Sequence, residues 1–106
     1  MDMKSEYEIY MDFRRAERVV EELRSIARES KECADMDLQA ALGTVEGCWA
    51  GENSQAFLRK GASLQRKVES TADDIGKIAD AIDGIARRTY QAETEAARIA
   101  KQRDRG

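Results

Sequence analysis

From Phe57 onward the chain keeps charge off one set of positions. Steps of four and three from Phe57 meet Gly61, Leu64, Val68, Thr71, Ile75, Ile78, Ile82, Ile85, Thr89, Ala92, Ala96 and Ile99, none of them charged. A 3.5-residue repeat held for about six heptads marks a helix packed in a left-handed supercoil. A row of small residues, Ala72, Ala79 and Ala86, runs beside this seam at seven-residue spacing. Seam and flank together give the wide apolar face of a helix in a bundle rather than in a two-stranded coil.

The first half follows the same logic. Asp12 reads as an N-cap, and Phe13, Ala16, Val20, Leu23, Ala27, Ser30 and Ala34 then alternate three and four. Leu38, Ala41, Val45 and Cys48 continue after two successive fours, a stutter that unwinds the supercoil between Ala34 and Leu38. Val19, Ile26 and Cys33 form a flanking row at sevens. The pattern predicts helix one over about 13–45, a turn over about 46–52 and helix two over about 53–100. The whole chain, 1–106, then forms one all-α domain, an antiparallel two-helix hairpin. A hairpin with wide apolar faces on both helices needs further cover. The expected architecture is therefore a four-helix bundle of two chains, with a core of Phe57, Leu64, Val68, Ile75, Ile78, Ile82 and Ile85 plus Val20 and Leu23.

Glycines at 43, 47 and 51 gather where the chain must reverse, around its single tryptophan, Trp49. Gly61, Gly76 and Gly84 lie inside helix two, where each costs about 1 kcal/mol against alanine. The absence of proline leaves long helices unbroken. Charge is abundant and mixed, 18 Lys and Arg against 21 Asp and Glu for a net −3, so nucleic acid is not an expected partner. No apolar run reaches the length of a membrane span. Residues 1–12 lack a basic region followed by an apolar one, so no cleavable signal peptide is expected. With no histidine, no Cys-x-x-Cys, no phosphate loop and no acidic metal cluster, neither catalysis nor a cofactor is expected. Asp73 and Asp74 are neighbours on a helix and point apart. Cys33 and Cys48 on one helix would stand about 22 Å apart, beyond the roughly 7 Å a disulfide allows. They read as small buried hydrophobes.

Taken together, Asp12 opening helix one, the W-x-G of Trp49 and Gly51 at the turn, and Phe57 eight residues after the Trp resemble the WXG family. These are ESAT-like helical hairpins of about a hundred residues, exported by type VII (ESX/Ess) secretion systems of Gram-positive bacteria. The resemblance covers about 10–100. It implies a non-enzymatic dimer, secreted without a cleavable signal peptide or cytoplasmic before export, and dependent on the type VII secretion ATPase. It also implies a two-part export signal, the W-x-G turn and a C-terminal Y-x-x-x-[DE]. Tyr90 and Glu93 are the candidates for the second part, but the fourth residue after Tyr90 is Thr94, with Glu95 beyond it. That departure points to an alternative, an adaptor binding the helical N-terminal region of a larger LXG-type toxin. A cytoplasmic structural coiled coil is the third reading.

Charge adds an orientation. Residues 28–57 carry Glu29, Glu32, Asp35, Asp37, Glu46 and Glu52 against Arg28 and Lys31. Residues 87–106 carry Arg87, Arg88, Arg98, Lys101, Arg103 and Arg105 against Glu93, Glu95 and Asp104. An antiparallel partner, a second copy or a related WXG or LXG protein, would bring the acidic turn end of one chain to the basic tail of the other.

Overall fold

A computed structural model describes residues 4–48 and 50–105. Helix α1 spans Glu6–Glu32, a π-helical stretch Cys33–Leu38 continues it, α2 spans Gln39–Cys48 and α3 spans Glu52–Arg105, with no strand among the described residues. The architecture is all-helical, with two long helical arms consistent with a helical hairpin.

Asp12 does not open the first helix. The N-cap is Ser5, whose Oγ accepts from the Glu8 N–H at 3.1 Å and whose carbonyl accepts from the Ile9 N–H at 3.0 Å. Ser5 and Glu8 are the S-x-x-E of a capping box. Asp12 sits in the second turn of α1, 3.0 Å from the Lys4 ammonium and 3.4 Å from Arg15. At the other end of the first arm, Gly51 has φ +109, a conformation that favours glycine. Its carbonyl accepts from the Gln55 N–H at 3.1 Å and from the buried Ser54 hydroxyl at 2.8 Å, which starts α3.

The chain forms two compact units. One joins the segment up to Glu22 with the segment from Ile78 onward. Its buried residues include Ile9, Val20, Ala79 and Ala97, and Phe13 packs on Tyr90 with ring centroids 4.7 Å apart, tilted by 33°. Lys101 pairs with Glu6 at 2.6 Å.

The other unit is Leu23–Lys77. Here the stutter becomes visible as the π-helical stretch, whose extra residue shifts the phase of everything after it. Leu38, Leu42 and Val45 are half-buried while Asp37, Ala41, Thr44 and Cys48 are exposed. Unbroken α-helix would have turned that second set inward; with the π turn Leu38 and Val45 face in as expected, while Leu42 takes the place expected of Ala41 and Cys48 is turned out. Gly61 makes room for one of them, since a Cβ there would collide with Leu42 Cδ2. The Gln65 amide donates to the Ala34 carbonyl at 2.9 Å and to Gln39 Oε1 at 3.2 Å, bridging α3 to the π turn. The cysteines differ from the buried role expected of them. Both are free and exposed, Cys48 because the phase shift turns it out and Cys33 because it precedes a core position.

Candidate helix-docking face

The inward row of α3 is the alanine row. Ala72 and Ala79 are buried, Ala79 completely, and Ala86 is half-buried. The large apolar row one position earlier, at the same seven-residue spacing, faces out: Leu64 is 52% exposed, Ile78 53% and Ile85 56%. Ile99 and Phe57 share that row and that exposure. The expected order is thus reversed, with the flank forming the intrachain contact and half of the seam left outside. Small side chains let the two arms approach closely, and bulky ones would hold them apart. Of the expected core, Val20 is buried; Leu23, Val68, Ile75 and Ile82 are half-buried; Phe57, Leu64, Ile78 and Ile85 are exposed.

The first arm repeats the arrangement. Val20, Ala27 and Ala34 turn inward to differing depths, and Val19, Ile26 and Cys33, each one residue earlier, are exposed. In an antiparallel pair, positions that precede core positions on both helices flank the seam on the same side. Within the first unit Val19 therefore lies on the side of Ile78 and Ile85. Within the second, Ile26 and Cys33 lie on the side of Leu64.

On that side of the first unit is a groove of about 250 Å³ lined by Ile9, Phe13, Ala16, Ile82, Ile85, Ala86, Thr89 and Tyr90. Lys4, Asp12 and Glu93 form its polar end. The Lys4 ammonium lies 3.0 Å from Asp12 Oδ2 and 3.1 Å from Glu93 Oε2. Hydrogen bonds to Asp12 and then Glu93, followed by their charges, hold the lysine above its ordinary pKa. That contribution persists until pH rises through the raised value. Arg15 lies 3.4 Å from the other Asp12 oxygen, so the two carboxylates at this end are met by two cations.

Tyr90 and Glu93, the C-terminal signal candidates, are brought together at this groove, one on Phe13 and one on Lys4. Gly51 belongs to the other unit, just before α3. Trp49 lies outside the described residues. Sequence reasoning missed Lys4 and the ion pairs of Asp12, which it took for an N-cap. The only local signal was the Ser5–Glu8 capping box, which starts α1 early enough to carry Lys4 to α3. Among the described residues no group of histidine, cysteine and carboxylate side chains could hold a metal, and no helix is long and apolar enough to cross a membrane. No protein-family model matches the chain, and no curated protein or solved structure matches it significantly.

Proposed function

We propose that this chain is a small, non-enzymatic helix-pairing protein of the WXG kind. It is exported by a type VII secretion system, or serves as an export partner in one. It acts by covering its outward apolar rows with a second helical hairpin, an antiparallel copy of itself or a related WXG or LXG protein. The observation that carries this reading is the pair of rows on one side of each unit, headed by Leu64, Ile78 and Ile85. A strict seven-residue repeat of exposed branched side chains is what another helix in a supercoil covers. The acidic turn end and basic tail favour the antiparallel arrangement. Trp49 and Gly51 are then the segment presented to the secretion ATPase.

The adaptor reading has its own support. The second part of the signal is incomplete, and Tyr90 and Glu93 are both engaged by the first arm. A chain that leaves only with its partner needs no complete signal of its own.

One experiment separates these readings. The protein is expressed in a host with a type VII system, and the medium-to-cell ratio is measured beside a lysis control for wild type, Trp49→Ala and Ile78→Asp. Direct export predicts that Trp49→Ala keeps its helical content and loses secretion. Ile78→Asp, at an exposed position, keeps the fold and loses association in sedimentation. Normal secretion of folded Trp49→Ala sinks the direct-signal reading and leaves the adaptor. Unchanged sedimentation of Ile78→Asp beside an associating wild type sinks the docking face.

A further inference from the structure

We propose that the start of α1 is an autoinhibitory clasp on the C-terminal part of α3. Lys4 and Phe13 hold Glu93 and Tyr90 against the first arm, and a receptor reaches those two side chains only after the first turns of α1 lift away. This rests on the export reading above and adds how that segment is regulated.

The contacts define what competes. Phe13 and Tyr90 are both half-buried, with ring centroids 4.7 Å apart. The Lys4 ammonium lies 3.1 Å from Glu93 Oε2, and the Glu93 side chain is only 26% exposed. Tyr90 and Glu93 are three residues apart on α3 and so share a face. A surface that reads the pair must offer an apolar slot for the ring and, one turn away, a cation for the carboxylate. Phe13 and Lys4 already supply both within the chain. Engagement by the first arm and by such a receptor are therefore mutually exclusive.

The clasp is built to open. Among residues 4–19 only Ile9 is buried, and the next buried residue of the arm is Val20. On α3 no residue between Ala79 and Ala97 is buried. Phe13 and Ala16 border the open groove instead of filling it. The ion pairs at this end, Lys4–Glu93 and Glu6–Lys101, are open to solvent, and pairs of that kind stabilise little. Asp12 also pairs with Arg15 on its own helix, so Lys4 can leave without stranding that carboxylate. A helix end with one buried anchor opens locally long before the whole fold does.

The test reads opening and export separately in the full chain, with circular dichroism to match helical content. Lys4→Glu places a third carboxylate beside Asp12 and Glu93. In native-state hydrogen exchange the amides of residues 9–16 should then exchange about fivefold faster, with those of residues 23–48 unchanged and most of the gap removed by 1 M salt. The medium-to-cell ratio, measured beside a lysis control, should rise about threefold as opening becomes more frequent. The double variant Lys4→Glu with Glu93→Lys again sets one lysine between two carboxylates. Its exchange should return to wild-type rates, while its export stays at or below wild type because the carboxylate to be read is gone. Unchanged exchange in Lys4→Glu, or exchange that the double variant fails to restore, overturns the clasp. Faster exchange with export unchanged or lowered overturns its inhibitory role. Trp49→Ala beside these variants reports on the export reading by itself: its normal secretion sinks the direct signal and leaves the exchange result standing.

Discussion

Where Ile9, Val20 and Ala97 are buried, the first arm keeps unbroken α-helical phase; between Leu23 and Lys77 a one-residue shift interrupts that phase part-way along the arm. The first unit is held by an aromatic pair and by exposed ion pairs at its edge. The second is held by a leucine set against a glycine and by an amide bridging to the Ala34 carbonyl. The contrast shows what a stutter does. It leaves the helix continuous, changes which residues face inward, and needs a small residue opposite to accept the larger ones.

The widest separation between the units should come from single-residue deletions. Arg18 and Asp37 are both exposed, so neither loses a packed side chain. Deleting Arg18 rotates the preceding residues by about 100° relative to those that follow. Ile9, Phe13 and Ala16 leave the seam together, at a cost on the order of 4 kcal/mol. Deleting Asp37 removes the residue that the π turn absorbs, and plain α-helix then still places Leu38, Leu42 and Val45 inward. The cost there stays within about 1 kcal/mol, because the main loss is the Gln65 bridge. Urea melts of both variants measure the difference. Equal losses would mean that the π turn absorbs nothing.

Much of this was legible in the sequence, for reasons that can be named. The uncharged heptads require two long helices, and two successive fours locate the π turn to within a residue. Which row faces inward was not legible, because Ala79 and Ile78 are both uncharged and steps of three and four pass between their rows. Size decided it, through how closely the arms approach. Leu42 stayed hidden because the shift happens upstream of it. The groove stayed hidden because it exists only where Lys4 and Asp12 meet Glu93, far apart in sequence. The candidate signal residues Tyr90 and Glu93 were visible as residues, while their engagement by the first arm was not.

A smaller effect compares glycines of α3 within the second unit. At Gly76 an added Cβ meets nothing, so Gly76→Ala should gain about 1 kcal/mol of helix stability. At Gly61 the same methyl collides with Leu42. Leu42 must then rotate out of the space that the phase shift gave it, and Gly61→Ala should gain nothing or lose about 1 kcal/mol. Thermal melts at low micromolar concentration, where association does not contribute, read both. A stabilised Gly61→Ala would mean that Leu42 is not seated against the backbone.

The smallest expected effect lies beside the π turn. Glu69 on α3 faces Asp35, and its carboxyl is held above the ordinary glutamate value. The hydrogen bond with Asp35 is the first cause, then partial burial, then the charge of Asp35; Asp73 adds to the shift and Lys31 opposes it. A carboxyl with a raised pKa holds its proton more tightly in the folded chain than in the unfolded one. Its stabilising contribution is therefore complete below the ordinary glutamate pKa and is lost as pH rises through the raised value. At pH 7 the two ionised carboxylates repel. Glu69→Gln removes that repulsion and keeps a hydrogen-bonding group, so its Tm should lie slightly above wild type at pH 7. Near pH 4 the protonated wild type already makes the same contact, and the gap should close. The effect is small because both groups are open to solvent. First-unit carboxylates provide the contrast, since Glu95 beside Arg98 is shifted downward and Glu95→Gln should cost stability at pH 7 instead. A Tm gap for Glu69→Gln that is equal at the two pH values, or negative at pH 7, would remove the carboxyl pair from the account of this turn.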